Sequence, residues 1–362
     1  MDFDVFVNYY NQLPFLIKVV WIISVILFII IIVSIFYLKI YRTRLRNSTA
    51  ETQKLVTEYE IQLINYLYAE EGQEEQNSII EKLTFCISSK SKRKIIKRVL
   101  LKLKKEISGE IAVAIQNLYR QIGLLNFALK KLDHQNWYVV AMGIRELKQF
   151  NIKDAHDAIL HHVNHSSKEV RKEVQLYLVS LFHFKGLEFL TKIETDLSEW
   201  DQIQLLEVLQ KNEDQQDVDI TPWLNSNNDS VVMFSLKIAE IFNQYEVQNH
   251  IIELLHHKNN IIRTKAILVL GGMQNLDFKH EVMNNFEERT LEEQQALFKI
   301  FEPLVSNNDE WFLLKYSEHY NFEIRLEALR LIKNFSPDKF ALFKETTNNG
   351  QFLEMLNFLT DN

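Results

Sequence analysis

The sequence predicts an all-α chain of stacked helix pairs, and three observations lead there. A helix-capping residue recurs seven times, at Asn136, Ser167, Ser198, Asn228, Asn259, Thr290 and Asn321, in steps of 30 or 31 residues. Asn, Ser and Thr carry a side-chain oxygen that takes up a free backbone N–H at a helix start. Apolar residues then follow each cap at fixed offsets. Eleven positions on stand Leu147, Leu178, Leu209, Ala239, Leu270, Phe301 and Ile332, all apolar, and eight on stand Ile144, Gln175, Leu206, Leu236, Ile267, Phe298 and Leu329, apolar in six of seven. The third observation is compositional: eight Gly and four Pro in 362 residues leave little material for hairpin turns, and no sustained period-two alternation runs through the chain. A fixed period between roughly 20 and 50 residues marks an α-solenoid, whose units bury their apolar faces only against their neighbours.

Taken in order, residues 1–18 form a short N-terminal segment, expected on the extracytoplasmic side. Residues 19–38 contain no charge. As a helix this stretch measures about 30 Å, the thickness of a bilayer's hydrocarbon core. It reads as a transmembrane helix rather than a cleaved signal, because Asp2 and Asp4 precede it and no small-residue cleavage site follows. Lys39, Arg42, Arg44 and Arg46 follow the span, whereas only Lys18 precedes it, so the N-terminus is expected outside and the remainder in the cytoplasm, at the inner membrane. Residues 39–77 read as a basic juxtamembrane segment, a helix to about residue 70 and a polar linker over 71–77. The solenoid is expected over 78–362, as about eight helix pairs closed by C-terminal capping helices. Pro222 and Pro337 each follow a Thr or Ser in the manner of a first helical turn. The Gly271-Gly272 pair reads as a helix terminator. Cys86, the only cysteine, excludes an internal disulfide and falls in an apolar helical run as a small core residue.

The residues around the caps carry a resemblance. Glu169-Val170-Arg171, Ile261-Ile262-Arg263 and Glu323-Ile324-Arg325 each sit just after a cap, and two of the three continue to a small residue, Ala266 and Ala328. Over roughly residues 108 to 334 this resembles the short bacterial HEAT repeat also found in phycobilisome-lyase-type proteins. Val140, Gln202, Val232 and Gln294 stand where the other repeats would carry the arginine, so the match is partial. Ser198/Asp201 and Thr290/Glu293 resemble capping boxes instead. The resemblance implies that Arg171, Arg263 and Arg325 lie inside the stack, bonding between adjacent units.

Charge is unevenly placed. The net charge is −7, with +3 over residues 1–50, +2 over 51–106 and −12 over the remainder. Nine Lys and Arg lie within residues 90–105, interleaved with Ile95, Ile96, Val99, Leu100 and Leu103 at helical spacing. Two readings stay open for this helix. One is a packed outer helix whose cations are simply solvated. The other is contact of Lys92, Arg93, Lys94, Lys97, Arg98 and Lys102 with an anionic leaflet.

Catalytic and ligand-binding motifs are missing from the sequence. His156, His161, His162 and His165 cluster, but without the further ligands a metal shell requires. His161-His162 and His256-His257 fall at helix ends, where imidazole suits the dipole. His280-Glu281 is followed by Asn284 and Asn285 where a zinc-protease helix needs its second His. Neither a phosphate-binding loop nor a nucleophile elbow is present. The expectation is therefore a non-enzyme without cofactor, metal or small-molecule substrate.

The leading functional reading is a membrane-anchored cytoplasmic scaffold that binds other proteins, with Trp137, Trp200, Trp223 and Trp311 as candidate exposed contacts, of which Trp137 and Trp223 border helix starts and read equally as packing residues. A nucleic-acid-binding HEAT-like protein is an alternative, opposed by the acidic balance of the repeats. A lyase-type enzyme is another, with no catalytic residue to match. Single-span HEAT proteins of this appearance are similar to ones associated with envelope polysaccharide synthesis beside membrane glycosyltransferases, and the resemblance implies such a setting.

Overall fold

The computed structural model describes residues 14–69, 74–106, 109–211, 218–347 and 350–361. Every regular element among them is helical, which agrees with the expected all-α class. The chain divides into two compact units, residues 1–127 and 128–362, whereas the sequence pattern placed its boundary at residue 78.

In the first unit, α1 (Phe15–Tyr68) is one unbroken helix of 54 residues. It is long and apolar enough to cross a membrane, and its most apolar stretch is not buried at all. The sequence leads to a polar-faced helix continuing to about residue 70, and the structure joins it to the apolar stretch without a break. Residues 39–54 lack an apolar stripe, yet nothing in them breaks a helix, so the backbone continues through. Tyr59, Leu63 and Tyr66 form the buried face near its end. Against α1 pack α2 (Glu74–Cys86), α3 (Lys90–Glu106) and α4 (Glu110–Gln121). α2 starts inside the stretch expected to be linker, because Glu74 and Glu75 suit the positive end of a helix. Residues 1–13, which include most of the expected N-terminal segment, and linker residues 71–73 lie outside the described residues. Gln76 Nε2 donates to the carbonyls of Tyr66 and Ala69 at 3.2 and 3.4 Å, occupying the end of α1. Burial and the neighbouring Cys86 thiol push the Tyr59 hydroxyl pKa up.

After α5 (Leu124–Leu132), the second unit is organised by seven longer helices. These are α6 (Trp137–Gln149), α7 (Lys168–Phe182), α8 (Glu199–Gln210), α9 (Asp229–Ile241), α10 (Asn260–Gly272), α11 (Leu291–Ile300) and α12 (Phe322–Phe335). Their N-caps are the seven residues of the sequence period. Five cap side chains accept a backbone N–H of the first turn: Ser198, Asn228, Asn259, Thr290 and Asn321. Thr290 and Glu293 form the reciprocal box, whereas the Ser198 hydroxyl instead donates to the Asp201 carboxylate. All fourteen residues at offsets eight and eleven are buried, Gln175 included. α6 packs on α7, α7 on α8, α9 on α10, α10 on α11 and α11 on α12. Gln202 joins α8 to α9, accepting from Lys237 Nζ at 2.9 Å.

The helix ends repeat as well. Asn151, His183, Asn243 and Gln274 adopt φ near +50°, and each lies just past the end of α6, α7, α9 or α10. Past three of them the next N–H turns back to a carbonyl five residues earlier, Ile152 to Leu147, Gln244 to Ala239 and Asn275 to Leu270. Gly271 and Gly272 lie within the last turn of α10, so they do not terminate it. A Cβ on Gly271 would stand 2.5 Å from Ile300, so glycine is what lets α10 and α11 approach. α13 (Pro337–Thr346) and α14 (Gly350–Asp361) follow α12. Pro337 opens α13 as expected, and the Ser336 hydroxyl donates to Glu310 instead of capping. Thr221 lies inside the turn Thr221–Leu224, with Ile220 at the cap position.

Candidate functional site

The row of caps is where the charged chemistry concentrates. Four caps are preceded two residues earlier by histidine. In each, the cap N–H donates to the imidazole Nδ1: Asn136 to His134, Ser167 to His165, Asn259 to His257 and Asn321 to His319, at 3.0–3.1 Å. This bond needs a neutral ring with its proton on Nε2. Burial lowers the pKa of His319 and of the half-buried His162, favouring neutral rings. His161 and His257 stand at helix C-caps and His256 closes the short helix Leu254–His256, as expected, and His257 also holds the cap that follows. The offset of −2 was readable in the sequence as His134, His165, His257 and His319, and only comparison across repeats exposes it.

The residue four after the cap does a second job. Arg171 Nη1 donates to the carbonyls of His165 and Ser166 at 2.7 and 3.1 Å. Arg263 Nη1 does the same to His257 and Lys258 at 2.8 and 3.3 Å, and its Nε reaches Glu293 of the next capped helix at 2.5 Å. Gln202 stands in for arginine, donating to the Leu197 carbonyl at 3.0 Å. Among the expected three, then, Arg263 bridges repeats and Arg171 braces its own cap. The side chain of Arg325 makes no such bond among the described residues, and its Nε is buried without a partner.

Glu293, fully buried, is the centre of a larger network. Arg289 approaches it at 4.0 Å, and Arg289 also contacts Glu281, which His256 meets at 3.1 Å. A second buried pair joins Lys279 to Asp309 at 2.8 Å, both under 5 % exposed at the side chain. Burial pulls the Asp309 carboxyl pKa up, but Lys279 and Ser306 outweigh it and hold it below the ordinary value. Sequence reading missed both pairs, because lysine and glutamate look like solvated surface until their neighbours are known.

α3 divides its cations between roles. Arg93 turns inward, donating to the Ile87 carbonyl at 3.0 Å and lying 4.0 Å over the Phe127 ring. Lys102 pairs with Glu60 of α1 at 2.8 Å. Lys92 and Lys97 are half-buried, while Lys94 and Arg98 are exposed. Desolvation lowers Lys104 to about 8. Of the six cations named for leaflet contact, Arg93 is engaged inside the unit and Lys102, itself exposed, is paired with Glu60.

Trp137, Trp200 and Trp311 are exposed, at 47, 62 and 54 %. Trp223 is buried, so it is a packing residue and not a contact. Its turn folds beneath α9, which the neighbouring Pro222 did not reveal. Among the histidines of the sequence cluster, His161 Nδ1 bonds the Asp157 carbonyl at 2.6 Å, and His156 contacts the Asp157 carboxylate at 3.0 Å.

No family model matches the chain, and no curated protein matches it either. Two crystal structures of engineered proteins are similar at low level. One shares 15 % identity over 70 % of this chain and 95 % of its own, with a TM-score of 0.23. The other shares 14 % over 84 % and 88 %, with a TM-score of 0.25.

Proposed function

We propose that this chain is a single-span, membrane-anchored α-solenoid that holds protein partners at the cytoplasmic face of the membrane. One observation carries the anchor: residues 19–38 are apolar and stand exposed on a helix whose other end is packed into a folded unit. Leaving such side chains in water forgoes about 1.5–3 kcal/mol each, on the order of 30 kcal/mol over the stretch. Lipid supplies the missing contact. The basic flank of Lys39, Arg42, Arg44 and Arg46 supports a cytoplasmic location for everything after it.

The solenoid reading is supported by the repeated cap, terminator and inter-helix ion pair, which together build each capped helix on the one before. Such stacks offer extended surfaces for other proteins, and the −12 charge of residues 107–362 favours basic partners. A HEAT-type repeat is consistent with this pattern of cap and arginine, while an envelope polysaccharide setting, beside a membrane glycosyltransferase, rests on the resemblance alone and on no residue of this chain. Leaflet contact by α3 is not part of the proposal. Its Lys102 is tied to Glu60, twenty-two residues beyond Leu38 on a continuous helix, or about 33 Å. That is several times the roughly 8 Å Debye length in physiological salt.

The test is a mild-detergent pull-down with the full chain and with a version lacking residues 1–46. The same partner on both means the stack holds it and the anchor sets location. Protease protection in spheroplasts reports orientation, and an externally cleaved second unit defeats the cytoplasmic assignment.

A further inference from the structure

Beyond its apolar stretch α1 has two faces, and the first unit covers one of them. Tyr59, Leu63 and Tyr66 are buried against the rest of that unit. At about 100° per residue, Ala50, Lys54, Thr57, Ile61, Ile64 and Tyr68 fall on the opposite side of the helix, roughly 140–220° round from Tyr59. All six are exposed, with Ile61, Ile64 and Tyr68 at 54, 42 and 74 %. Their spacing alternates between four and three residues, which is the seam along which two helices wind round each other. The Thr57 hydroxyl donates to the Gln53 carbonyl of its own helix at 3.1 Å, so it brings no unmet donor to such a seam.

The helix that carries the seam also decides what can cover it. Residues 19–38 and the seam lie on one unbroken helix, so on the anchored reading every copy of the chain holds Ile61 at the same height and points the same way. Another protein would need its own stalk with apolar side chains at matching heights, whereas a second copy has one already. In parallel register Ile61 meets Ile61 and Ile64 meets Ile64, an isologous pairing. Charges at the rim fit that register. Arg46 and Glu51 are exposed and have no partner among the described residues. They flank the seam on opposite sides, where the arginine of one copy reaches the glutamate of the other. Lys54 limits the number of copies: two ammoniums can bend outward to water at a cost in stability, but a third helix would enclose them.

We propose that α1 pairs with the α1 of a second copy as a parallel two-stranded coil over residues 50–68, making the anchored chain a dimer joined by its stalk. The proposal rests on the anchored reading above, because confinement to one membrane supplies the local concentration that so short a seam needs.

The experiment is disulfide crosslinking of the full chain in the membranes of an expressing cell, in a Cys86→Ser background that removes the only thiol. Ile61→Cys and Ile64→Cys, exposed positions that do not threaten folding, should give covalent dimer on mild oxidation, since a seam brings its facing Cβ atoms within disulfide reach. Glu58→Cys, also exposed but beside the seam, should crosslink about tenfold more slowly, because its Cβ points away from its counterpart. Adding Ile64→Asp to Ile61→Cys should cut the dimer to the Glu58→Cys level. Equal rates at Ile61→Cys and Glu58→Cys mean chance collision and overturn the proposal. So does absence of dimer at both seam positions, or dimer that survives Ile64→Asp. Carbonate extraction of the same membranes reads the anchor separately. Chain retained in lipid without crosslinking rejects the pairing and leaves the anchored reading standing; crosslinked chain released by carbonate does the reverse.

Discussion

Lys279→Met tests whether buried ion pairs between repeats are structural necessities. The Lys279 ammonium donates to Asp309 Oδ2 at 2.8 Å and to the Leu304 carbonyl at 3.0 Å, and both charged side chains are almost fully excluded from water. Methionine fills the same space without the charge. Asp309 Oδ2 would then keep only the Ser306 amide and hydroxyl, at 2.7 and 2.8 Å. Removing one partner of a buried pair costs about 3–5 kcal/mol, and the surviving Ser306 bonds place this case near 3. For a unit of this size that is roughly 6–12 °C in Tm. Urea unfolding of the full chain in detergent, followed by circular dichroism at pH 7, measures it. Adding Asp309→Asn should recover about 1–2 kcal/mol, because the uncompensated charge is gone and an acceptor for Ser306 remains. The sign with pH follows from the lowered Asp309 pKa: the parent's gain is present above the ordinary carboxylate pKa and is lost as pH falls through the lowered one. The deficit of Lys279→Met should therefore shrink toward acid. A loss below 1 kcal/mol at pH 7, or no recovery with Asp309→Asn, refutes the reasoning.

Three further outcomes follow from the repeat geometry. Arg263→Ala should cost about 2–3 kcal/mol by urea midpoint, since fully buried Glu293 keeps only Arg289 at 4.0 Å and the Thr290 amide, and two carbonyls lose their donor. Gln274→Gly should raise stability by about 1 kcal/mol, because φ +55° strains a residue that has a Cβ; an unchanged or lower Tm counts against the terminator role. Stability should fall below about pH 6.5, since burial lowers the His319 pKa and the unfolded chain takes up the proton first. His319→Gln should flatten a Tm profile recorded from pH 7.5 to 5.5, and an equally steep profile in the variant assigns the dependence elsewhere.

The part of the fold legible in the sequence is the part fixed by local chemistry. A cap must be a small residue with a side-chain oxygen, and the buried stripe must recur at helical spacing, so the seven starts and the fourteen buried positions could be read one residue at a time. Helix ends were hidden because Asn151, His183, Asn243 and Gln274 do glycine's work at positive φ, and His and Gln carry no composition signal for it. The continuation of α1 to about residue 70 was legible too, because helix continuity depends on backbone propensity and not on the hydropathy change at Lys39. Lys279, Asp309 and Glu293 were invisible for a different reason: burial of a charge is a property of its neighbours thirty residues away. For the same reason three arginines that look equivalent in sequence differ in structure: Arg263 reaches the next capped helix, Arg171 bonds only its own cap loop, and Arg325 makes neither bond.

Continuity of α1 also changes what an anchor would do. With a flexible linker after Leu38, the folded units could sample a hemisphere of roughly the linker's reach, and a membrane partner would be met by diffusion. An unbroken helix removes that freedom. Among the described residues, the first buried one after the apolar stretch is Tyr59, twenty-one residues on, which sets the first unit about 32 Å along a stiff stalk. Under the anchored reading, partners whose own cytoplasmic surfaces lie at that height are favoured and flatter ones are not, a selection by distance that operates before any side-chain contact. Inserting Gly-Ser-Gly-Ser after Thr49 would free the units without touching the apolar span or Tyr59. Loss of a pulled-down partner on that insertion, with unchanged membrane fractionation, marks the stalk as a spacer; full retention means the stack binds regardless of height.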